Sequence, residues 1–288
     1  MRSIEEDRME LELKGKRALV TGSSSGIGAA IARLLSAEGA KVIIHGRDAA
    51  KTRAVAQKLI DAGAEAGFVT GELSREEDCA EVAKRAVEFF GGVDILVNNA
   101  GGMAAANRPD TTAESFNRPW LQTPWDDWRW TYEQNVGSSV RLIQALAPAM
   151  IERGWGRIIN ISSASATQTE ADLADYQPAK AAITNMTTGL AKSLAGTGVT
   201  VNTVTPGTIA TEGVRNGFVE WARQLGWETQ DWSEIERRFT SEVIPQPTKH
   251  FGRPEDIARM VAFIASPQAS YMTGSNYRVD GGQCRSIN

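Results

Sequence analysis

Histidine and cysteine are scarce in this chain of 288 residues, with only His45, His250, Cys79 and Cys284. Two cysteines so far apart make neither a disulfide framework nor a zinc-ligand spacing, which favours a reducing compartment. Two histidines are too few for a His-based metal centre, and no metal is expected. No apolar run reaches the ~18 residues of a membrane span. There is no lysine/arginine block, and the net charge of −4 gives no footprint for nucleic acid. Met1–Glu12 is acidic and lacks the apolar core of an export signal. It is expected to be a flexible extension, with residues 13–288 forming one domain and the protein residing in the cytoplasm. What remains is an ordinary globular composition, 42% hydrophobic and 23% charged.

Within it, short β-prone runs alternate with helical spacing. Arg17-Ala18-Leu19-Val20 leads into Thr21-Gly22-Ser23-Ser24-Ser25-Gly26-Ile27-Gly28, and Ala29–Glu38 places Ile31, Leu34 and Leu35 on one side of a helix. Strand, glycine-rich turn and helix make a phosphate-binding layout, because glycines let backbone approach a pyrophosphate and the helix N-terminus offers N–H groups. A second strand, Lys41–His45, ends in Gly46-Arg47, with no carboxylate until Asp48. An arginine there suits a ribose 2′-phosphate and an acid suits a free 2′-hydroxyl, so NADP(H) is favoured over NAD(H). A third strand, Ala66–Val69, precedes Gly71-Glu72-Leu73. Ser74–Phe90 reads as a helix with a capping box in Ser74 and Glu77. A fourth strand, Asp94–Val97, runs into Asn98-Asn99-Ala100-Gly101. Repeated βα units imply an α/β fold, a doubly wound parallel sheet in three α/β/α layers of the Rossmann type, with ligand at the carboxyl ends of the strands.

Residues 102–124, polar and proline-bearing, read as a long loop; 126–153 read as one long helix containing Asn135. Further strands are expected at 156–162, 199–204 and 276–279, and helices at 176–195 and 254–266. The segment 210–251 is rich in aromatics and follows a strand's carboxyl end, the place for a substrate lid. Its Trp221, Trp227 and Trp232 either wall an apolar pocket or pack the lid onto the body.

Tyr176 and Lys180 are four apart and share a helix face. A lysine ammonium about 4 Å from a phenol is worth roughly 4 kcal/mol at an effective dielectric of about 20, which would bring tyrosine near neutrality. Ser163, just past an apolar strand, could polarise a carbonyl that the tyrosine protonates.

In these ordered motifs the chain resembles the short-chain dehydrogenase/reductases of the ordinary single-domain branch. The matching residues are Thr21-Gly22-x3-Gly26-x-Gly28, Asn98-Asn99-Ala100-Gly101, Asn135, Ser163, Tyr176-x3-Lys180, Pro206-Gly207, Gly252–Asp256 and Val279–Gly282. The resemblance spans about residues 13–282 and includes members like the 3-oxoacyl-carrier-protein reductases. It implies a catalytic tetrad. Tyr176 is the acid or base, Ser163 holds the substrate oxygen, Lys180 tunes the tyrosine and binds the nicotinamide ribose, and Asn135 positions a water. It implies cofactor contacts at Gly22, Ser24, Ser25, Ile27, Arg47, Glu72, Leu73, Asn99, Tyr176, Lys180, Ile209 and Thr211. Glu72 stands where the family usually has aspartate. Three residues between tyrosine and lysine, and the glycine pattern, differ from bacterial-type enoyl reductases and from extended-branch epimerases. The implied activity is hydride transfer between NADP(H) and a secondary alcohol or ketone. The alternatives are an NAD(H)-dependent dehydrogenase of a sugar, polyol, steroid or dihydrodiol, and a nucleotide-binding regulator without turnover. A homotetramer is implied, pairing through the 126–153 helix, the Tyr176 helix and the C-terminal helix and strand.

Overall fold

The computed structural model describes residues 10–107 and 118–286. Seven parallel strands form the sheet among the described residues: β1 (Arg17–Val20), β2 (Lys41–Gly46), β3 (Ala66–Thr70), β4 (Ile95–Asn98), β5 (Gly156–Ile161), β6 (Val199–Pro206) and β7 (Asn276–Val279). Their order is β3-β2-β1-β4-β5-β6-β7, so the strand order reverses between β1 and β4, where a doubly wound sheet opens a ligand crevice.

The central strands are buried on both faces and are therefore apolar nearly throughout. Their period of two divides the core. Val20, Ile44, Val97, Ile159 and Val204 pack with Ile31 and Leu35 of α1 (Gly26–Ala37), Leu59 of α2 (Ala49–Asp61) and Ile257 and Val261 from near the chain's end. Leu19, Ile43, Leu96, Ile158 and Val201 face the other way, onto Val82 and Ala86 of α3 (Glu76–Phe90) and onto Leu142, Leu146 and Met150.

The helix expected over 126–153 comes in three parts. α4 (Trp125–Tyr132) passes into a π turn, Glu133–Gly137, and continues as α5 (Ser138–Glu152). The wide turn leaves carbonyls off the regular ladder, and the Ser138 and Ser139 hydroxyls donate to Gln134 O and Asn135 O. The remaining helices are α6 (Tyr176–Ser193), α7 (Glu212–Gln224), α8 (Trp232–Arg238) and α9 (Pro254–Ala265).

The expected capping box does not form. α3 begins at Glu76 with Arg75 at the cap position and no side-chain cap bond. Glu72 Oε1 takes the Ser74 N–H instead, and Glu76, Glu77 and Asp78 supply negative charge to the first turn. The expected loop over 102–124 holds one helical turn, Ala104–Asn107, and a 3₁₀ turn, Trp120–Gln122, while 108–117 lie outside the described residues. Of the expected flexible segment, residues 1–9 also lie outside. Glu10 O and the Glu12 carboxylate both accept from Gln268, which ties the chain down from residue 10 onward. Among the described residues no helix is long and apolar enough to cross a membrane.

Candidate active site

The sheet's carboxyl edge carries two clefts. The first, about 320 Å³, lies over β1, β2 and β4. Its walls include Gly22, Ser24, Ser25, Ile27, Arg47, Glu72, Leu73, Asn99 and Thr211. Ile209 is not on this wall; it is buried and bridged to Gly252. The glycines are sterically required. Gly22 has φ +62° and its missing Cβ would fall 2.9 Å from Ala100 Cα; a Cβ on Gly28 would fall 2.6 Å from Asn99 Nδ2. Asn99 fastens the loop by donating to Thr21 O and Gly22 O. α1 starts with no side-chain cap and no acid in its first turn, so its N–H groups and dipole end face the cleft ready for an anion. The shape and donors fit the pyrophosphate of a dinucleotide.

Arg47 stands at the end of β2 on this wall, and Asp48 is turned away: its carboxylate caps α2 by accepting from Lys51 N–H. Arg47 Nη1 lies 3.4 Å from Glu72 Oε2. The other Glu72 oxygen accepts from Gln134 Nε2, sent across from the π turn. An aspartate is one methylene shorter, so Glu72 extends the reach that joins these two side chains. Gln134 itself lines the cleft. Sequence gave no signal for it, because the contact spans 62 residues.

His45 is a second cleft residue that motif reading missed. Its Nδ1 accepts from Gly22 N–H and its Nε2, then the protonated nitrogen, bonds Gly71 O. It thereby ties the glycine loop to the end of β3. Burial pulls its pKa down to about 4, against a smaller upward effect of the Gly71 bond. A polar side chain ending an apolar strand was the available clue, since such a group needs partners on both sides.

The second group gathers where β5 and α6 meet. Ser163 caps the short turn Ala164–Ala166, its Oγ accepting from Ser165 N–H. Tyr176 opens α6 and shares a side-chain hydrogen bond with Ser163. Lys180 is 4% exposed, donates to Ile161 O at 2.9 Å, and sits 5.6 Å from the Tyr176 ring centre. Asn135 Nδ2 donates to Gly102 O and Thr131 O, and its Oδ1 accepts from Gly102 N–H. A Cβ on Gly101 would press on Asn135 Oδ1 and lie 3.2 Å from Lys180 Nζ. Gly101 also borders the first cleft, so the four side chains and the nucleotide cleft share one corner.

The expected tuning of the tyrosine is not what this arrangement gives. Burial raises the Tyr176 phenol above its ordinary value, partly offset by the Ser163 hydrogen bond. Lys180 is itself pushed down to about 8 by burial. Its ammonium is held on the Ile161 carbonyl, 5.6 Å from the centre of the Tyr176 ring. The tyrosine is therefore a protonated acid at neutral pH.

The second cleft, about 830 Å³, is walled by the loop between Ser163 and Tyr176, by segment 210–251 and by the C-terminal residues. Gln168, Glu170, Thr208, Trp221, Ile244 and Arg285 are on its surface. The three tryptophans divide between the two expected roles. Trp227 and Trp232 pack into a small core of the segment itself, around Phe239 and Phe251, both 0% exposed. Trp221 is 40% exposed and faces the cleft. No group of three or more metal-ligating side chains comes together among the described residues.

A doubly wound sheet with this glycine cradle and a Ser–Tyr–Lys corner defines a nucleotide-dependent oxidoreductase. Residues 22–283 match the family model described as enoyl-(acyl carrier protein) reductase. The chain belongs to that family, the short-chain dehydrogenase/reductases, and acts on CH–OH or C=O groups. It is 38% identical over 282 residues to the uncharacterized oxidoreductase YvaG of Bacillus subtilis, covering 97% of this chain and all of the relative. It is 37% identical to the 3-oxoacyl-(acyl-carrier-protein) reductase FabG of Vibrio cholerae, covering 94% of this chain and 98% of that one. L-sorbose reductase from Gluconobacter frateurii, solved with NADPH and L-sorbose, superposes with a TM-score of 0.82 at 31% identity, covering 97% of this chain and all of that one.

Proposed function

We propose that the protein is an NADP(H)-dependent carbonyl reductase or alcohol dehydrogenase for a small or medium secondary alcohol or ketone. The observation that carries this reading is the Ser163–Tyr176–Lys180–Asn135 corner opening at Gly101 onto a cleft with Arg47 at its far wall. NADP(H), when bound, supplies or accepts the hydride. The residues do the rest. Ser163 Oγ and the Tyr176 hydroxyl converge on the substrate oxygen. In reduction, Tyr176, protonated at neutral pH, gives its proton to that oxygen. Lys180, poised near 8, returns a proton to Tyr176. Asn135 fixes Gly101 and Gly102 against the π turn and, with a water, extends the relay. Gly22, Ser24, Ser25, Ile27, Leu73, Asn99 and Thr211 form the cofactor's binding surface, and Arg47 reads the 2′-phosphate.

The Arg47–Glu72 pair favours a second reading, since a carboxylate facing the arginine weakens its draw on a phosphate. On that reading the protein is an NAD(H)-dependent dehydrogenase of a sugar, polyol, steroid or dihydrodiol. Residues 13–288 act as one catalytic domain, in a cytoplasmic homotetramer paired through α4–α5, α6 and the C-terminal helix and strand. The exposed Tyr132 and Ile151 on the first of these support such a face. Titration with NADPH and NADH, followed by assay of alcohols and ketones with the preferred cofactor, tests the proposal. Binding without any turnover would leave only the regulator reading.

A further inference from the structure

At the opposite, amino edge of the sheet is a cavity of about 540 Å³ that neither the cofactor nor the substrate cleft explains. Arg157 and Thr200 are register partners on β5 and β6, so their side chains leave the same face of the sheet side by side. Both line the cavity. Arg157 is only 2% exposed and has no carboxylate partner among the described residues. Its Nε donates to Ser266 O and its Nη1 to Gly156 O and Gly198 O. Nη2 makes no hydrogen bond with the described residues and, unlike Thr200 Oγ1, is not fully buried, so it is open to the cavity. Thr200 is 7% exposed, and its Oγ1 is buried without any hydrogen-bond partner.

A buried cation and a buried idle hydroxyl are each costly unless something completes them. Burial alone lowers the Arg157 pKa, to about 10, with no acid nearby to offset it. The guanidinium lies over Trp155 at 4.5 Å, and Lys16 lies over the same ring at 3.9 Å, so a second cation stands close by. No acidic residue lines the cavity. A hydrocarbon or a cation would leave these groups as they are; an oxyanion would accept from both.

We propose that this cavity binds a small oxyanion, phosphate or carboxylate in type, held by Arg157 Nη2 and Thr200 Oγ1. The site lies at the second residues of β5 and β6, the strands that lead to Ser163 and Ile209, and its occupancy tightens the two strands at their amino ends.

The test is a thermal-unfolding titration of the full chain with nucleotide at saturation, so that the phosphate subsites of the first cleft are filled. Inorganic phosphate, acetate and chloride are compared at fixed ionic strength, which separates the two oxyanion sources from general salt effects. A ligand at ten times its Kd should raise Tm by about 2–4 °C. The expected result is a rise with phosphate or acetate beyond that with chloride, lost in Arg157→Met, weakened at least threefold in Kd by Thr200→Val, and kept in Arg47→Asp. Should Arg157→Met fail to fold, Thr200→Val decides alone. A rise equal to that with chloride, or one unchanged in Thr200→Val, would overturn the proposal. Loss in Arg47→Asp would also overturn it, because the anion would then be in the nucleotide cleft.

Discussion

Replacing Arg47 by aspartate tests the cofactor assignment most directly. A hydrogen bond to a charged group is worth about 1.5–3 kcal/mol, or roughly 10- to 150-fold in affinity. Against this stands the Glu72 carboxylate, 3.4 Å from Arg47 Nη1. With the Arg47 and Glu72 side chains 49% and 30% exposed, such a pair contributes about 0.2–1 kcal/mol. Losing it on phosphate binding leaves a net preference of roughly 0.5–2.8 kcal/mol, about 2- to 100-fold for NADPH over NADH. Arg47→Asp should abolish that preference and leave NADH affinity the same or better. Glu72→Gln should tighten NADPH by about 1.4- to 5-fold through release of the arginine. Fluorescence titration of the two single variants and the double variant gives the coupling between the sites. Equal NADPH and NADH binding in the unaltered protein, unchanged in Arg47→Asp, would refute the phosphate role of Arg47 and favour the NAD(H) reading.

Other consequences can be checked independently. Tyr176→Phe should cut kcat by about 10²–10⁴-fold while NADPH binding stays within about twofold, read by steady-state kinetics beside the same titration; near-normal turnover would remove the tyrosine from its acid role. His45 binds no proton in the fold until about pH 4, whereas the unfolded side chain takes one near 6.5. Stability from this group is therefore complete above pH 6.5 and falls as pH drops towards 4, by about 3 kcal/mol in all. In urea unfolding at pH 7 and pH 4.5, His45→Asn should lose less stability than the unaltered chain over that interval; parallel losses would argue against a buried neutral imidazole. Phe239→Ala removes a fully buried ring from the centre of the 210–251 core and should cost about 3–5 kcal/mol. A change under about 1 kcal/mol in the urea midpoint would mean that this core folds apart from the sheet.

Local pattern settled much of this protein. The alternation of apolar runs and helical spacing was enough for a parallel sheet, because strands buried on both faces must be apolar and each crossover needs a helix. The glycines of residues 22–28 carried their own reason in sequence, since backbone cannot approach a phosphate past a Cβ. Ser163, Tyr176 and Lys180 were legible from spacing and from resemblance. What spacing could not supply was distance and surroundings. Lys180 is four residues from Tyr176, yet a carbonyl from β5 holds its ammonium, and burial raises the phenol that the charge was expected to lower. Residues 126–153 read as an unbroken helix because a π turn differs from an α turn by one residue and leaves no compositional mark. His45 between Gly22 and Gly71, Glu72 between Arg47 and Gln134, and Arg157 beside Thr200 are all joined across strands or layers. Such polar contacts are chosen by where the folded backbone brings a donor to an acceptor. Only the tertiary structure decides that, since chain separation carries no information about it.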